Sequence, residues 1–344
     1  MPRSSRVIKT LNISGLITNF PSTNYATSLR GLAAVSVVAI HAGAARPLLE
    51  SSTISEIFGG EGITRFVELG AAGPAVFFIC SGFVLSLVWQ KSRNLGFISF
   101  SLRRFLRLSP LYFIVLSYLY ILGSLELSDF ALRMLFLDAF LPAVFARDPI
   151  GILWTLSVEF WCSLLVPLFV ITLRSKFKLI WLTFYFFISV FSPKLLIELG
   201  STELMAYKSI PSAVFCFAIG VYLSGLNPSS GEGEGFKVMT VFSLGFLFMY
   251  LAGGYMGAWW ISILLTVSFL GYRRTKLIQP KSNPFMLFLG TICYGIYLLH
   301  IPILARVLEL SSTFAFYLTF PVTLVAAAIS WKFVERPIIS KSKR

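Results

Sequence analysis

Residues Ala71–Trp89 read AAGPAVFFICSGFVLSLVW, a run without a single charged side chain. A helix needs about 20 apolar residues to cross the hydrocarbon core of a bilayer, and this run has that length. The rest of the chain is similar, since 56% of its 344 residues are hydrophobic, 13% are charged and the mean hydropathy is +0.81. Soluble domains carry about 25% charged residues. The sequence therefore predicts an all-α, polytopic integral membrane protein.

Similar apolar runs recur along the chain and predict about ten membrane-spanning helices. One further apolar stretch, Phe130–Phe145, is interrupted by Arg133, Asp138 and Pro142. We interpret it as an interfacial or re-entrant piece, with an eleventh span as the alternative. The ten predicted spans are Leu29–Ala45, Ala71–Trp89, Leu108–Gly123, Ile152–Leu173, Leu179–Phe191, Ser212–Leu226, Val238–Ala252, Ala258–Tyr272, Phe285–Leu304 and Phe314–Val334.

The basic residues predict the orientation of these spans. The chain has 29 Lys and Arg against 15 Asp and Glu, a formal net charge of +14. With ten spans and both termini in the cytoplasm, about three quarters of the basic residues fall on the cytoplasmic side, as the positive-inside rule requires. An eleventh span would reverse every later loop and remove this asymmetry. We therefore expect a multi-pass protein of the plasma membrane, the inner membrane in a bacterium, with no nucleic-acid partner.

The predicted organisation is one transmembrane domain, residues 28–337, between a cytoplasmic N-terminal segment of residues 1–27 and a basic cytoplasmic tail of residues 338–344. The four cysteines lie inside apolar runs without a Cys-x-x-Cys pair, which argues against a disulfide framework and a zinc site. Two histidines without clustered carboxylates likewise predict no metal site.

Arg30 and His41 lie in the first predicted span and are candidates for function, because ionisable side chains inside a membrane are costly. Their spacing of eleven residues places both side chains on one helix face, about 16 Å apart along the axis. Small residues such as Ala34 and Val37 lie between them and leave room for a long ligand. The structural alternative is an interfacial arginine and a histidine that bonds a neighbouring helix.

Three further ionisable residues fall within or at the ends of predicted spans. His300 lies in the ninth span, where either catalysis or a hydrogen bond between helices would explain it. Glu159 begins the fourth span from the outer side and could orient or charge-stabilise a histidine, with an ion pair to Arg147 as the alternative. Glu335 ends the last span, where we expect a helix stop with local pairing to Arg336.

Arg103, Arg104 and Arg107 precede the third span on the predicted cytoplasmic side. The simpler interpretation is that these arginines only set the orientation of the span, since basic residues are common in cytoplasmic loops. Guanidinium groups also match phosphate oxygens. Together with Arg30 at the same membrane face, these arginines could converge on a polyphosphate such as coenzyme A.

Six segments, in order along residues 27–337, give the chain a resemblance to the membrane-bound acyltransferase 3 family. Any one of the motifs is weak, but six in the same order at matching depths are specific. The segments are Leu29-Arg-Gly-Leu-Ala-Ala with His41, Val76-Phe-Phe-Ile-Cys-Ser-Gly-Phe83, Arg104-Phe-Leu-Arg107 with Pro110-Leu-Tyr112, Trp154-Thr-Leu-Ser-Val-Glu-Phe-Trp161, Tyr294-Gly-Ile-Tyr-Leu-Leu-His300 and Val334-Glu-Arg-Pro337.

The resemblance implies a ten-span O-acyltransferase that takes an acyl group, expected to be acetyl, from cytoplasmic acyl-CoA. The acceptor would be a hydroxyl of a carbohydrate such as an exopolysaccharide, an O-antigen or a glycolipid. Acyl-CoA (acetyl-CoA) is then the donor substrate, and no permanently bound cofactor is expected. The expected partners are the carbohydrate or lipid-linked sugar, membrane lipid and polysaccharide-assembly proteins.

The resemblance also implies roles for individual arginines. The Arg-x10-His pair of the family maps onto Arg30 and His41, and its Arg-x-x-Arg motif maps onto Arg104 and Arg107. On this interpretation the three arginines hold the phosphates of acyl-CoA, while the pantetheine arm lies along the first span.

The expected catalytic residues are His41, Glu159 and His300. His41 would act as base on the acceptor hydroxyl or carry the acyl group briefly. Glu159 or His300 would orient His41 or shuttle its proton. Two alternatives stay open: a transporter or flippase of a polar or glycolipid substrate, since charges at membrane depth also occur in that class, and a catalytically silent membrane scaffold.

Overall fold

The computed structural model describes residues 23–43, 72–92, 94, 96–226, 283–310 and 315–341, together with positions 263, 264, 266, 267 and 270. These residues form helices joined by turns, and no strand occurs among them. In chain order the elements are α1 (Asn24–His41), α2 (Gly73–Lys91), α3 (Gly96–Ile121), α4 (Leu127–Met134), a 3-10 helix (Leu137–Phe140), α5 (Pro142–Ala146), α6 (Leu153–Leu164), α7 (Val166–Leu173), α8 (Lys178–Glu198), α9 (Glu203–Tyr207), α10 (Ile210–Ser224), α11 (Pro284–Leu310), α12 (Ala315–Ser330), a π-helical turn (Trp331–Glu335) and α13 (Arg336–Lys341).

Six helical stretches in the described part of the chain are long and apolar enough to cross a membrane. They are α2, α3, α8, α11, the α9–α10 unit Glu203–Ser224 and the stretch Tyr317–Lys341. The protein is therefore an all-helical, multi-pass membrane protein. Of the ten predicted spans, Val238–Ala252 lies outside the described residues and Ala258–Tyr272 lies mostly outside them. The count of ten and the cytoplasmic placement of both termini stay predictions.

The fourth predicted span, Ile152–Leu173, is a bent pair of helices. The axes of α6 and α7 meet at 49°. Neither helix alone is long enough to cross a membrane, but the two joined end to end are long and apolar enough to form one bent span. Pro167 lies in the first turn of α7. Because proline has no N–H, it cannot bond the carbonyl of Ser163 one turn earlier, and the helix breaks at Leu165.

The interrupted stretch Phe130–Phe145 is built from short helices. α4 has eight residues, α5 has five and the 3-10 helix between them has four. None approaches the length of about 20 residues that a span needs. An eleventh span at this place is therefore excluded, and the interpretation as an interfacial or re-entrant piece agrees with the short helices.

α1 and α11 run parallel and approach closely at two glycines. A Cβ atom on Gly290 would lie 1.9 Å from the carbonyl oxygen of Thr27, and a Cβ atom on Gly31 would lie 2.6 Å from the amide nitrogen of Gly290. Real Cβ atoms do not come this close to backbone, so only glycine allows this approach. The same register, continued ten residues further along both helices, brings His41 to His300.

α2 and α10 form a second close parallel pair. A Cβ atom on Gly82 would lie 2.2 Å from the carbonyl oxygen of Phe217, and one on Gly220 would lie 2.1 Å from the backbone of α2. Further along both helices, Ser86 donates a hydrogen bond of 2.6 Å to the hydroxyl of Ser224. α2 also packs on α1, so these four helices form the centre of the bundle.

We expect Gly290→Ala to lower the free energy of unfolding by about 1–3 kcal/mol, because its methyl group would force α1 and α11 apart. Denaturant titration of the purified protein in detergent micelles would measure the change. Thr291→Ala is the matched control, since it alters the next residue of α11 and leaves the glycine contact intact. Equal stability of the two variants would show that the close approach is not required.

Candidate active site

His41 ends α1, and His300 lies in the second half of α11. The Nδ1 atom of His41 and the Nε2 atom of His300 are 2.8 Å apart. The two rings are stacked, with centroids 5.0 Å apart and an interplanar angle of 24°. His300 is fully buried, whereas His41 is exposed at the end of its helix. The structure thus brings together the only two histidines of the chain.

The hydrogen bonds of His300 define the protonation of the pair. Its Nδ1 atom lies 2.6 Å from the carbonyl oxygen of Tyr297. A carbonyl oxygen only accepts, so Nδ1 carries the proton and Nε2 of the neutral ring is an acceptor. His41 must then donate from its Nδ1 atom, and the Nε2 lone pair of His41 has no hydrogen-bond partner among the described residues. A histidine oriented through its Nδ1–H also occurs in the Ser-His-Asp triad, where the accepting group is a carboxylate.

Tyr297 connects the histidine pair to α6. Its hydroxyl accepts a hydrogen bond of 3.0 Å from Thr155. Its ring contacts Phe77 of α2 at a centroid distance of 5.4 Å and His300 at 5.8 Å. Side chains of α2 and α6 therefore hold the residue whose carbonyl orients His300.

Glu159 lies in a buried cluster with two of the predicted arginines. The Oε1 atom of Glu159 accepts hydrogen bonds from Arg104 and, at 2.7 Å, from Ser81. The Nη2 atom of Arg30 lies 3.9 Å from the same oxygen. Two guanidinium groups against one carboxylate leave this group of four residues positively charged. The Nε atoms of both arginines are buried without a hydrogen-bond partner among the described residues, so the cluster suits an anionic ligand.

The position of Glu159 differs from the sequence-based expectation. Its carboxylate lies beside Arg30, and helix geometry separates Arg30 from His41 by about 16 Å along α1. The alternative ion pair with Arg147 is wrong, because Arg147 donates two hydrogen bonds to Asp129, at 2.6 and 2.7 Å. These bonds hold the pKa of Asp129 below its ordinary value. Glu159 is nearly two turns inside α6, which carries it away from the start of the helix.

Arg107 is held by the end of the last span. Its Nη1 atom lies 2.9 Å from the Oε2 atom of the buried Glu335, and its guanidinium lies 5.1 Å from the ring centroid of Trp331. Glu335 is therefore bound to a distant helix, and the expected helix stop at this residue is wrong, because α13 follows it directly. Arg104 and Arg107 lie one turn apart on α3 but contact different carboxylates, so Arg107 does not join the Glu159 cluster in this structure.

Phe136 was not predicted to be important from the sequence, but its ring packs between α3 and α6. It is fully buried, and its φ of 58° is a left-handed conformation that is rare for a bulky residue. Its ring stacks on Tyr112 of α3 at 4.9 Å and on Phe160 of α6 at 4.7 Å. Trp161 donates a hydrogen bond of 2.8 Å to its carbonyl oxygen. The stack fixes the two helices that supply the buried Arg–Glu pair.

The charges that interrupt the apolar stretch pair with each other. Arg133 and Asp138 are fully buried, with Nη1 and Oδ2 2.9 Å apart. Arg133 also donates to the carbonyl oxygen of Val144, and Asp138 accepts from Ser157 of α6. Burial raises the pKa of Asp138 to about 6. In the sequence, this buried ion pair was visible as two charged residues that interrupt the apolar stretch Phe130–Phe145.

Within the described ranges, no three His, Cys, Asp or Glu side chains come together as metal ligands would. All four cysteines are free and buried.

A comparison with protein-family models matched residues 24–334 to the model described as an acyltransferase domain. The match covers nearly the whole chain and includes both histidines and the arginine cluster. Comparisons with curated proteins and with solved structures found no match.

We expect diethylpyrocarbonate to modify His41 and to spare His300. The reagent acylates an uncharged, accessible imidazole nitrogen, and only His41 offers one, because both ring nitrogens of the buried His300 are hydrogen-bonded. Peptide mass spectrometry would locate the adduct, with protein unfolded in denaturant as the control in which both histidines react. Modification of His300 at the rate of His41 would contradict this geometry.

We expect Glu159→Gln to lower the free energy of unfolding by about 3–5 kcal/mol, because the change leaves buried guanidinium charge uncompensated. Denaturant titration in detergent would measure it. Glu309→Gln is the matched control, since Glu309 pairs with Arg306 at an exposed position and exposed pairs contribute little. Equal effects of the two substitutions would contradict a buried, structurally essential cluster.

Proposed function

Because the chain belongs to the acyltransferase 3 family, which indicates membrane acyltransferase activity, we propose that it transfers an acyl group, expected to be acetyl, from cytoplasmic acyl-CoA to a hydroxyl of a carbohydrate. The observation that carries the proposal is the exposed His41, whose Nε2 lone pair is left free by the hydrogen bond to His300. A neutral imidazole held in this way suits proton transfer near pH 7.

The donor phosphates are assigned to the arginine cluster. Arg30 and Arg104 supply more positive charge than Glu159 neutralises, and their Nε donors are available to phosphate oxygens. Arg107, one turn away on α3, is paired with Glu335 and would join them by exchanging that carboxylate for a donor phosphate. The distance of about 16 Å from Arg30 to His41 along α1 suits the length of a pantetheine arm, which would deliver the thioester to the imidazole.

The transfer step uses the free nitrogen of His41. Nε2 takes the proton of the acceptor hydroxyl while the hydroxyl oxygen attacks the thioester carbonyl carbon. The carbon–sulfur bond then breaks, and the imidazolium returns the proton to the departing thiolate, so that an ester and free CoA form. His300 accepts the Nδ1–H bond of His41 throughout and keeps the ring in place.

A histidine with a free Nε2 is also a nucleophile, so an acyl-histidine intermediate is the competing route. In that route CoA is released before the acceptor binds, and the acceptor hydroxyl then takes the acyl group from the imidazole. Release of one equivalent of CoA without acceptor would distinguish it from direct transfer, in which CoA release requires the acceptor.

The proposed acceptor is the hydroxyl of an exopolysaccharide, an O-antigen or a glycolipid, at the face of the membrane opposite to the donor. The proposed location is the plasma membrane, the inner membrane in a bacterium. A lipid-linked sugar would reach His41 from the bilayer, and polysaccharide-assembly proteins would supply or remove it.

We expect His41→Ala to lower acyl transfer at least about hundredfold, since general base catalysis contributes that much or more. The assay follows label from acetyl-CoA into glycan or lipid in membranes that contain equal amounts of each variant. Glu309→Gln serves as the control, because it lies at an exposed site outside the histidine pair and the arginine cluster.

Equal labelling by the wild type and His41→Ala would contradict the role of His41. A wild type that moves a labelled glycolipid across the membrane but transfers no acyl group would favour the transporter instead.

A further inference from the structure

Lys208, in the connection between α9 and α10, is a cation at the histidine site that the mechanism above does not use. Its Nζ atom lies 5.3 Å from the ring centroid of Trp154, at the start of α6. The residue after Trp154 is Thr155, which is bonded to Tyr297 of the histidine site. Lys208 therefore lies at the His41 end of the protein.

The backbone around Lys208 is fixed by short-range hydrogen bonds. Its N–H bonds the carbonyl oxygen of Leu204 at 3.1 Å. Ser209 and Ser212 both donate to the carbonyl oxygen of Ala206, at 2.7 and 2.8 Å. The side chain is half-buried, and its ammonium group is held over the indole face by a cation–π contact. These contacts fix the position of the Lys208 ammonium group, whereas a lysine on an open surface would be mobile.

The charge of Lys208 is available to a ligand. No carboxylate of the described residues forms an ion pair with it. The carboxylate of Asp148 is bound elsewhere, because its oxygens accept backbone N–H groups at the start of α6, at 3.1, 2.9 and 2.8 Å from Ile150, Gly151 and Leu153. A half-buried ammonium without an ion-pair partner is a site at which an anion gains a charge-assisted hydrogen bond.

We propose that Lys208 binds an anionic group of the acceptor, so that the acceptor is an acidic carbohydrate with a carboxylate or phosphate near its acylated hydroxyl. This rests on the proposed function, because it names the acceptor of that reaction. The anion belongs to the acceptor and not to the donor, because the donor phosphates are assigned to the cluster at Arg30, about 16 Å from His41 along α1. The indole of Trp154 would hold the ammonium group of Lys208 in place next to the bound acceptor sugar.

The test compares two probes that differ only in the anion. Octyl β-D-glucuronide and octyl β-D-glucoside are titrated, without any acyl donor, against the full chain in lipid nanodiscs. We expect the wild type to bind the glucuronide about tenfold more tightly than the glucoside, as one charge-assisted hydrogen bond would allow. Lys208→Met should bring the ratio of dissociation constants close to one, and Lys208→Arg should keep the preference.

Lys176→Met is the matched control, because Lys176 also lies over an aromatic ring, 5.0 Å from the centroid of Phe177, but elsewhere in the fold. Its ratio of dissociation constants should equal that of the wild type. A wild type that binds both probes equally, or a Lys208→Met variant that keeps the preference, would overturn the proposal. So would an equal loss in Lys176→Met, which would indicate a general charge effect.

Protection of His41 from diethylpyrocarbonate by the glucuronide, in the wild type but not in Lys208→Met, would place the bound probe at the histidine site. Absence of protection in the wild type would place it elsewhere and overturn the proposal. Because neither measurement involves acyl-CoA or turnover, the proposed function can fail in the labelling assay while the acidic-ligand site stands, and the reverse also holds.

Discussion

The close parallel packing of α1 on α11 is the constraint on which the candidate site depends. Gly290 allows the backbone of α1 to approach so closely that no side chain fits between the two helices. Because the helices then keep a single register, the pair at Gly31 and Gly290 is repeated ten residues later at His41 and His300. The ring of His41 is thus oriented by His300, on a helix far away in sequence.

Buried charge imposes a second constraint. An ion inside the bundle is costly unless it is paired, so each buried arginine bonds a group on another segment. Arg104 of α3 bonds Glu159 of α6, and Arg107 bonds the end of the last span. The aromatic stack on Phe136 holds α3 against α6 at the same level. Charge pairing and aromatic packing therefore stabilise the same contact.

These two constraints place unlike chemistry at different levels of one bundle. The guanidinium cluster carries a net positive charge, whereas the histidine pair is neutral. α1 contributes to both, through Arg30 and His41, and so determines the distance between them. A long donor such as acyl-CoA and an acceptor that reaches His41 from the other side would meet at the imidazole.

Apolar composition and the length of the apolar runs determined the fold class, because a chain with 13% charged residues needs a bilayer as solvent. Helical geometry is local, so the spacing of Arg30 and His41 was enough to place them on one face. Which distant side chains meet was decided only by the tertiary structure: His300 lies 259 positions from His41, and the partners of Glu159 come from three other helices. Helix periodicity specifies which face of a helix is buried, but the register and neighbours of helices depend on close packing between segments, which the sequence does not encode locally.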